Sequence, residues 1–129
     1  MRKKRILVVD DEASITTLLQ LNLEKTGDYT VRTANHGEQV LSAVRDFKPD
    51  VVLLDVMMPG MDGGQVAGQI QASRDCKDVA LVFLTAAVKK EEIEACGGVI
   101  GGFPYVAKPL NVKGVIGVIE KQLKGRSFD

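Results

Sequence analysis

Several side chains able to do chemistry stand directly after apolar runs. Asp10 and Asp11 follow the run 6–9, Asp55 ends Val51–Asp55, Thr85 follows 79–84, and Lys108 follows 103–107. Asp55 is the most demanding of them. Val51-Val52-Leu53-Leu54, bounded by Pro49 and by Pro59-Gly60, reads as a strand buried on both faces. A lone carboxylate at its end costs several kcal/mol, roughly, unless it is paired or bound to metal. Capping a following helix explains it poorly, because Pro59-Gly60 intervenes and Asp62 is the better N-cap. If the first and third strands are neighbours, Asp10, Asp11 and Asp55 converge. Like charges so placed raise each other's pKa unless a cation lies among them. Oxygen-only donors suit Mg2+, which keeps several waters and is completed by phosphate oxygens. Thr85 adds a hydrogen-bond donor and Lys108 a compact positive charge. Such a pocket can stabilise a transferring phosphoryl group, with Asp55 as the nucleophile forming an acyl phosphate.

The elements that must position these groups alternate regularly. Residues 6–9 form a first strand. Ile15, Leu18, Leu19 and Leu23 follow at helical spacing, and Gly27 stops that helix. A more polar second strand over 29–34 belongs at an edge. Val40, Leu41, Val44 and Phe47 mark a second helix, ended by Pro49. After the central strand, Asp62 starts a third helix weakened by Gly63, Gly64 and Gly68. A fourth strand over 79–84 precedes a short helix over 89–96, which Gly97, Gly98, Gly101 and Gly102 break. These glycines read as positions needing positive φ, with a mobile signalling surface as the competing reading. The fifth strand spans Phe103–Ala107, and Pro104 argues for an edge position there. Val112, Val115, Ile116, Ile119 and Leu123 define the last helix. Strand-helix alternation of this kind predicts an α/β domain with a doubly wound parallel sheet. Ligands in such sheets bind beyond the carboxyl ends of the strands, where all the singled-out residues fall.

Composition narrows the function classes. At 129 residues, 45% hydrophobic and 26% charged, the chain has the profile of one globular domain. Formal net charge is zero, which gives no electrostatic ground for direct nucleic-acid binding. The basic run Arg2-Lys3-Lys4-Arg5 reads as a solvated lead-in to the first strand. No run is long enough to span a bilayer, no signal pattern precedes Ile6, and a cytoplasmic protein without membrane contact is expected. Cys76 and Cys96 make no CxxC pair and read as reduced thiols of minor structural weight. His36, alone in the Asn35-His36-Gly37 turn, reads as a surface histidine.

Taken in order, Asp10-Asp11 after a strand, Asp55 with Met57-Met58-Pro59-Gly60-Met61-Asp62-Gly63, Thr85-Ala86 and Lys108-Pro109 resemble the receiver domain of two-component response regulators. The resemblance covers essentially the whole chain and is nearest the chemotaxis-regulator-like single-domain type. It implies a flavodoxin-like (βα)5 sandwich with a five-stranded parallel sheet in the order 2-1-3-4-5. Because only a few residues follow the last helix, a single receiver over 1–129 with no output domain is expected. Asp55 would be the phosphoacceptor, served by a sensor histidine kinase or a histidine phosphotransfer protein. Asp11, Asp55 and the backbone carbonyl of Met57 would ligate Mg2+, with Asp10 acting mainly through a bound water. Lys108 would pair with the phosphoryl group, and the Lys108-Pro109 bond is expected to be cis. Thr85 would move toward the phosphoryl group, and Tyr105, matching the family's switch aromatic, would turn inward with it. The alternative for Tyr105 is a packed edge-strand aromatic. An unnamed downstream protein would read the surface of the fourth helix, fifth strand and fifth helix. The protein would be a signalling phosphoacceptor and not an enzyme.

The resemblance also implies that two positions bracket the pocket and influence dephosphorylation, two residues after the phosphoacceptor and two after the threonine. Here they are Met57 and Ala87, whose side chains cannot hold a water by a hydrogen bond. Competing classes fit less well. An aspartyl-phosphate phosphatase would resemble a DxD nucleophile on the first strand, whereas Asp10 and Asp11 are adjacent. A flavin-binding protein would need a phosphate loop where acidic residues stand. A receiver cut from a larger regulator and a phosphorylation-independent scaffold remain as alternatives.

Overall fold

The computed structural model describes residues 2–73 and 78–128. In chain order the elements are β1 (Lys4–Val9), α1 (Ala13–Lys25), β2 (Tyr29–Ala34), a 3-10 turn (Gly37–Gln39), α2 (Val40–Phe47), β3 (Val51–Asp55), β4 (Met57–Met58), β5 (Met61–Asp62), α3 (Gly63–Ala72), β6 (Ala80–Thr85), α4 (Lys90–Ala95), β7 (Val99–Ile100), β8 (Phe103–Ala107) and α5 (Val112–Leu123). The main sheet runs β2-β1-β3-β6-β8-β7. Its first five strands pair in parallel and reproduce the expected 2-1-3-4-5 order, with β6 and β8 as the fourth and fifth strands. The addition is β7, a two-residue antiparallel strand on the far side of β8.

Each central strand alternates between two cores. Ile6, Val8, Val51, Leu53, Val82 and Leu84 pack with Leu19 and Leu23 of α1 and Ile119 and Leu123 of α5. Leu7, Val9, Val52, Leu54, Leu81 and Phe83 pack with Val40 and Val44 of α2 and Val66 and Ile70 of α3. Both faces being covered explains why the strands read as unbroken apolar runs. Asp62 caps α3, accepting from the Gly64 amide, as expected.

Several expectations are corrected. Pro104 does not mark an edge, because β7 takes the outer position. The β6–β8 register begins at Phe83↔Tyr105, one residue past Pro104, so the missing N–H costs the inner ladder nothing. On α1 the buried face is Thr16, Leu19 and Leu23, while Leu18 is 47% exposed. Thr16 tolerates burial because its hydroxyl donates to the Ala13 carbonyl. The basic run is not simply solvated. Arg2 makes a two-pronged pair with Asp50, and Lys4 pairs with Glu120 at 2.7 Å. Both cations also lie over the buried ring of Phe128. Gly97, Gly98, Gly101 and Gly102 all take positive φ, as the sequence reading favours. His36 is exposed, Cys96 is a free exposed thiol, and Cys76 lies outside the described residues.

Candidate functional site

Register explains why the acidic residues meet. Val8 pairs with Leu53 and Val9 with Leu54, so one further step along both strands sets Asp10 beside Asp55. Both residues inherit the side-chain parity of the α1/α5 core. A carboxylate oxygen from each of Asp10, Asp11 and Asp55 falls within 4.8 Å of the others. Asp10 is fully buried and Asp55 nearly so, while Asp11 is exposed at the mouth.

Lys108 enters from the next strand but one. It follows β8, and its amide donates to the Thr85 carbonyl. Its Nζ lies 2.8 Å from Asp10 Oδ2 and 3.3 Å from Asp55 Oδ2. The Lys108-Pro109 bond is cis, as expected. Burial alone would push the Lys108 ammonium down, but the adjoining Asp10 and then Asp55 hold it above its ordinary value. Burial pushes the Asp55 carboxyl up, helped by the charge of Asp10 and opposed by the Met57 amide and by Lys108.

One device aims three of these side chains. Asp10 accepts from the Glu12 amide at 3.0 Å, Asp55 from the Met57 amide at 3.0 Å, and Thr85 from the Ala87 amide at 3.0 Å. Each polar group at a strand end thus bonds the backbone two residues on, which fixes its rotamer. Thr85 and Tyr105 are not part of the carboxylate cluster. They share the opposite face, through the register Phe83↔Tyr105 and Thr85↔Ala107. Tyr105 is half-buried and packs its ring 5.1 Å from that of Phe83. Met57 lies in the β4–β5 hairpin with its side chain 67% exposed.

The donor set fits a hard divalent cation. All three side chains offer oxygen. Asp10 Oδ2, buried, makes no hydrogen bond beyond its ion contact with Lys108, which leaves it a free lone pair for a metal-bound water. Two participants escaped the sequence reading. Glu12 brings a carboxylate to 3.8 Å from Lys108, and Asn35 bonds the Asp10 carbonyl. Glu12 adjoins the acidic pair and was within reach of a sequence argument. Asn35 was not, because its contact depends on the β1–β2 register.

Comparison with known proteins agrees with this geometry. Residues 6–120 match the family model described as response regulator receiver domain. The chain is 42% identical over 113 residues to the alkaline phosphatase synthesis transcriptional regulatory protein PhoP of Bacillus subtilis, covering 87% of this chain and 45% of that protein. It therefore spans under half the length of that relative. Among solved structures, the chemotaxis response regulator CheY4 of Vibrio cholerae superposes with a TM-score of 0.79 at 26% identity, covering 95% of this chain and 100% of that one. The N-terminal domain of a response regulator receiver protein from Methanoculleus marisnigri does so with a TM-score of 0.67 at 35% identity, covering 95% and 98%. Parallel-sheet topology, the acidic cluster at the strand ends, the lysine behind a cis proline bond and these matches lead to one conclusion: the chain belongs to the response regulator receiver domain family.

Proposed function

We propose that Asp55 accepts a phosphoryl group from the phosphohistidine of a sensor histidine kinase or a histidine phosphotransfer protein. The observation that carries this reading is the nearly buried Asp55 carboxylate, held 3.3 Å from Lys108 within a cluster of oxygen donors. In the transfer an Asp55 carboxylate oxygen attacks phosphorus. A P–O bond forms as the P–N bond breaks, and the histidine nitrogen leaves with the electron pair. Asp11, Asp55 and the Met57 carbonyl would hold Mg2+ directly, and Asp10 through a water. When bound, that ion supplies positive charge to the phosphoryl oxygens. Lys108 neutralises a phosphoryl oxygen from the other side, and its pairing with Asp10 keeps it charged and aimed. The chain is a signalling phosphoacceptor that assists its own phosphorylation and dephosphorylation.

Thr85 would exchange its bond to the Ala87 amide for one to the phosphoryl group, and Tyr105 would turn inward in response. Room for that motion supports the reading, since Tyr105 lines a cavity of about 410 Å3 toward α3 and another of about 530 Å3 toward α4 and α5. The surface of α4, β8 and α5 would then bind a downstream protein. Phosphorylation can shift the equilibrium only by its differential affinity for the active form. Hydrogen exchange over these elements, with and without a phosphoryl mimic, tests the surface, and no change there places it elsewhere.

No helix among the described residues is long and apolar enough to cross a membrane, and the reading assigns the protein to the cytoplasm. We take residues 1–129 as one receiver domain, working alone or as the receiver part of a longer regulator. The deciding experiment is intact mass after incubation with Mg2+ and a small acyl phosphate, beside an Asp55→Ala control. A gain of one phosphoryl group in the parent only supports Asp55 as acceptor. No gain with or without Mg2+ favours a phosphorylation-independent scaffold. A gain that survives in Asp55→Ala assigns the acceptor to another residue.

A further inference from the structure

We propose that Asn35 is a positioning residue for the acidic pocket. Its amide clamps the turn that carries Asp10 and Asp11, and so sets the pocket's affinity for a divalent cation. This rests on the reading of the Asp10–Asp11–Asp55 cluster as a cation site.

The turn between β1 and α1 has little to hold it locally. Glu12, at the N-cap of α1, makes no side-chain capping bond. The β1–β2 ladder ends at Val9↔Ala34, with a last rung from the Asp10 amide to the Ala34 carbonyl at 3.1 Å. Asp10 is fully buried, so its own carbonyl cannot turn to water and must find a protein donor. Asn35 supplies it. Its Nδ2 donates to the Asp10 carbonyl at 2.8 Å and to Thr16 Oγ1 at 3.0 Å.

The direction of these bonds is fixed by chemistry. A carbonyl only accepts, so the Asn35 amide must present its nitrogen. The Thr16 hydroxyl donates to the Ala13 carbonyl at 3.1 Å, so its oxygen is left to accept from Asn35. One amide thereby ties Asp10, the residue after β1, to the first turn of α1, across the two residues between Asp10 and that helix. Those two residues are Asp11 and Glu12, and the Glu12 amide in turn aims the Asp10 carboxylate. Neither aspartate at Asn35 nor valine at Thr16 could serve in this network, since each lacks a required partner. Asn35 also lines, with Asp11, the cavity beside the pocket mouth. Groups that orient metal ligands without touching the metal typically tune affinity by about 10- to 100-fold.

The test is Mg2+ titration by calorimetry on the parent, Asn35→Ala, Thr16→Val, Thr16→Ser and the Asn35→Ala/Thr16→Val double variant. Thermal unfolding in chelator reads stability separately. Asn35→Ala is expected to weaken Mg2+ binding about tenfold. Thr16→Val should weaken it less, and Thr16→Ser should restore the parent value. The double variant should bind no worse than Asn35→Ala, because both residues act through one clamp. A folded Asn35→Ala variant that binds Mg2+ within about twofold of the parent overturns the proposal and leaves the cation site standing, as do additive effects in the double variant. Should Asn35→Ala fail to fold, an unchanged affinity in Thr16→Val overturns it equally. A parent that binds no Mg2+ overturns the cation reading and this proposal together.

Discussion

Lys108 Nζ lies 3.3 Å from Asp55 Oδ2, a contact between residues 53 positions apart made inside a pocket where neither side chain sees much water. The lysine is shared, since Asp10 is nearer still at 2.8 Å. Removing it leaves two buried carboxylates facing each other. We expect Lys108→Met to lose about 2 kcal/mol at neutral pH, less than for a fully buried pair because the carboxylates can escape by taking up a proton. The loss should shrink as pH falls and that proton binds. Urea unfolding at pH 7 and near pH 4.5 checks both points, and a loss independent of pH would mean that packing, not charge, is what Met fails to replace.

Asp55 itself works against the fold at neutral pH. Its carboxyl titrates above the ordinary range because burial disfavours the charged form. The native state therefore binds the proton more tightly than the unfolded chain does. Stability from this group is fully present below the unfolded value and is lost as pH rises through the raised native value. At pH 7, in chelator, Asp55→Asn should be more stable than the parent, because a neutral amide of like shape removes a buried charge and its repulsion with Asp10, while Lys108 keeps Asp10 as its partner. The gain should vanish in acid. Added Mg2+ should raise the parent's melting temperature and leave that of Asp55→Asn nearly unmoved. Calorimetric scans at two pH values, with and without Mg2+, measure all three.

Gly63 and Gly68 lie on the same helix but should respond oppositely to alanine. At Gly63 an added Cβ would meet Val56 Cα at 3.0 Å and the Val56 carbonyl oxygen at 3.1 Å. Both are backbone atoms and cannot rotate away. We expect Gly63→Ala to cost about 1–3 kcal/mol. Relief would come by pushing the Val56–Met57 turn, so weaker Mg2+ binding should accompany the loss if the Met57 carbonyl is a ligand. At Gly68 nothing lies within 4 Å, and Gly68→Ala should gain about 0.5–1 kcal/mol from helix propensity alone. Chemical denaturation of the two variants side by side gives both signs.

The strands and the pocket were legible because one physical cause produced both signals. A sheet covered on both faces writes continuous apolar runs, and polar residues that close such runs are conspicuous against them. Asp10, Asp55 and Lys108 stood out this way, and the register then brought them together. What stayed hidden depends on contacts between elements. Leu18, expected with Leu19 and Leu23 on the apolar face, is exposed, while Thr16 is buried with its hydroxyl satisfied within α1, and hydrophobicity alone ranks the two the other way. Pro104 suggested an edge because a proline removes a donor, but the strand that covers it is two residues long and leaves almost no pattern. Arg2 and Lys4 looked solvated because Asp50, Glu120 and Phe128, the groups that bind them, are distant in sequence.

If Asp55 is the phosphoacceptor proposed above, the lifetime of its phosphorylated form should be set by access and not by assistance. Hydrolysis needs a water held in line behind phosphorus, and a side chain at the rim speeds the step only if it can hydrogen-bond that water. Met57 is 67% exposed and Ala87 is exposed. The Met57 thioether and the Ala87 methyl offer such a water no strong donor or acceptor. Met57→Asn introduces an amide that can do both. We expect it to shorten the life of phospho-Asp55 several-fold, whereas Met57→Leu, apolar and of similar size, should leave it near the parent value. The measurement is loss of the phosphoryl mass with time after the acyl phosphate is removed, in Mg2+. Equal half-lives for the Met57→Asn variant and the parent would show that Met57 does not control the water. Faster decay in both variants would show that Met57 shields the phosphoryl group by its shape, so that any change of shape lets water in.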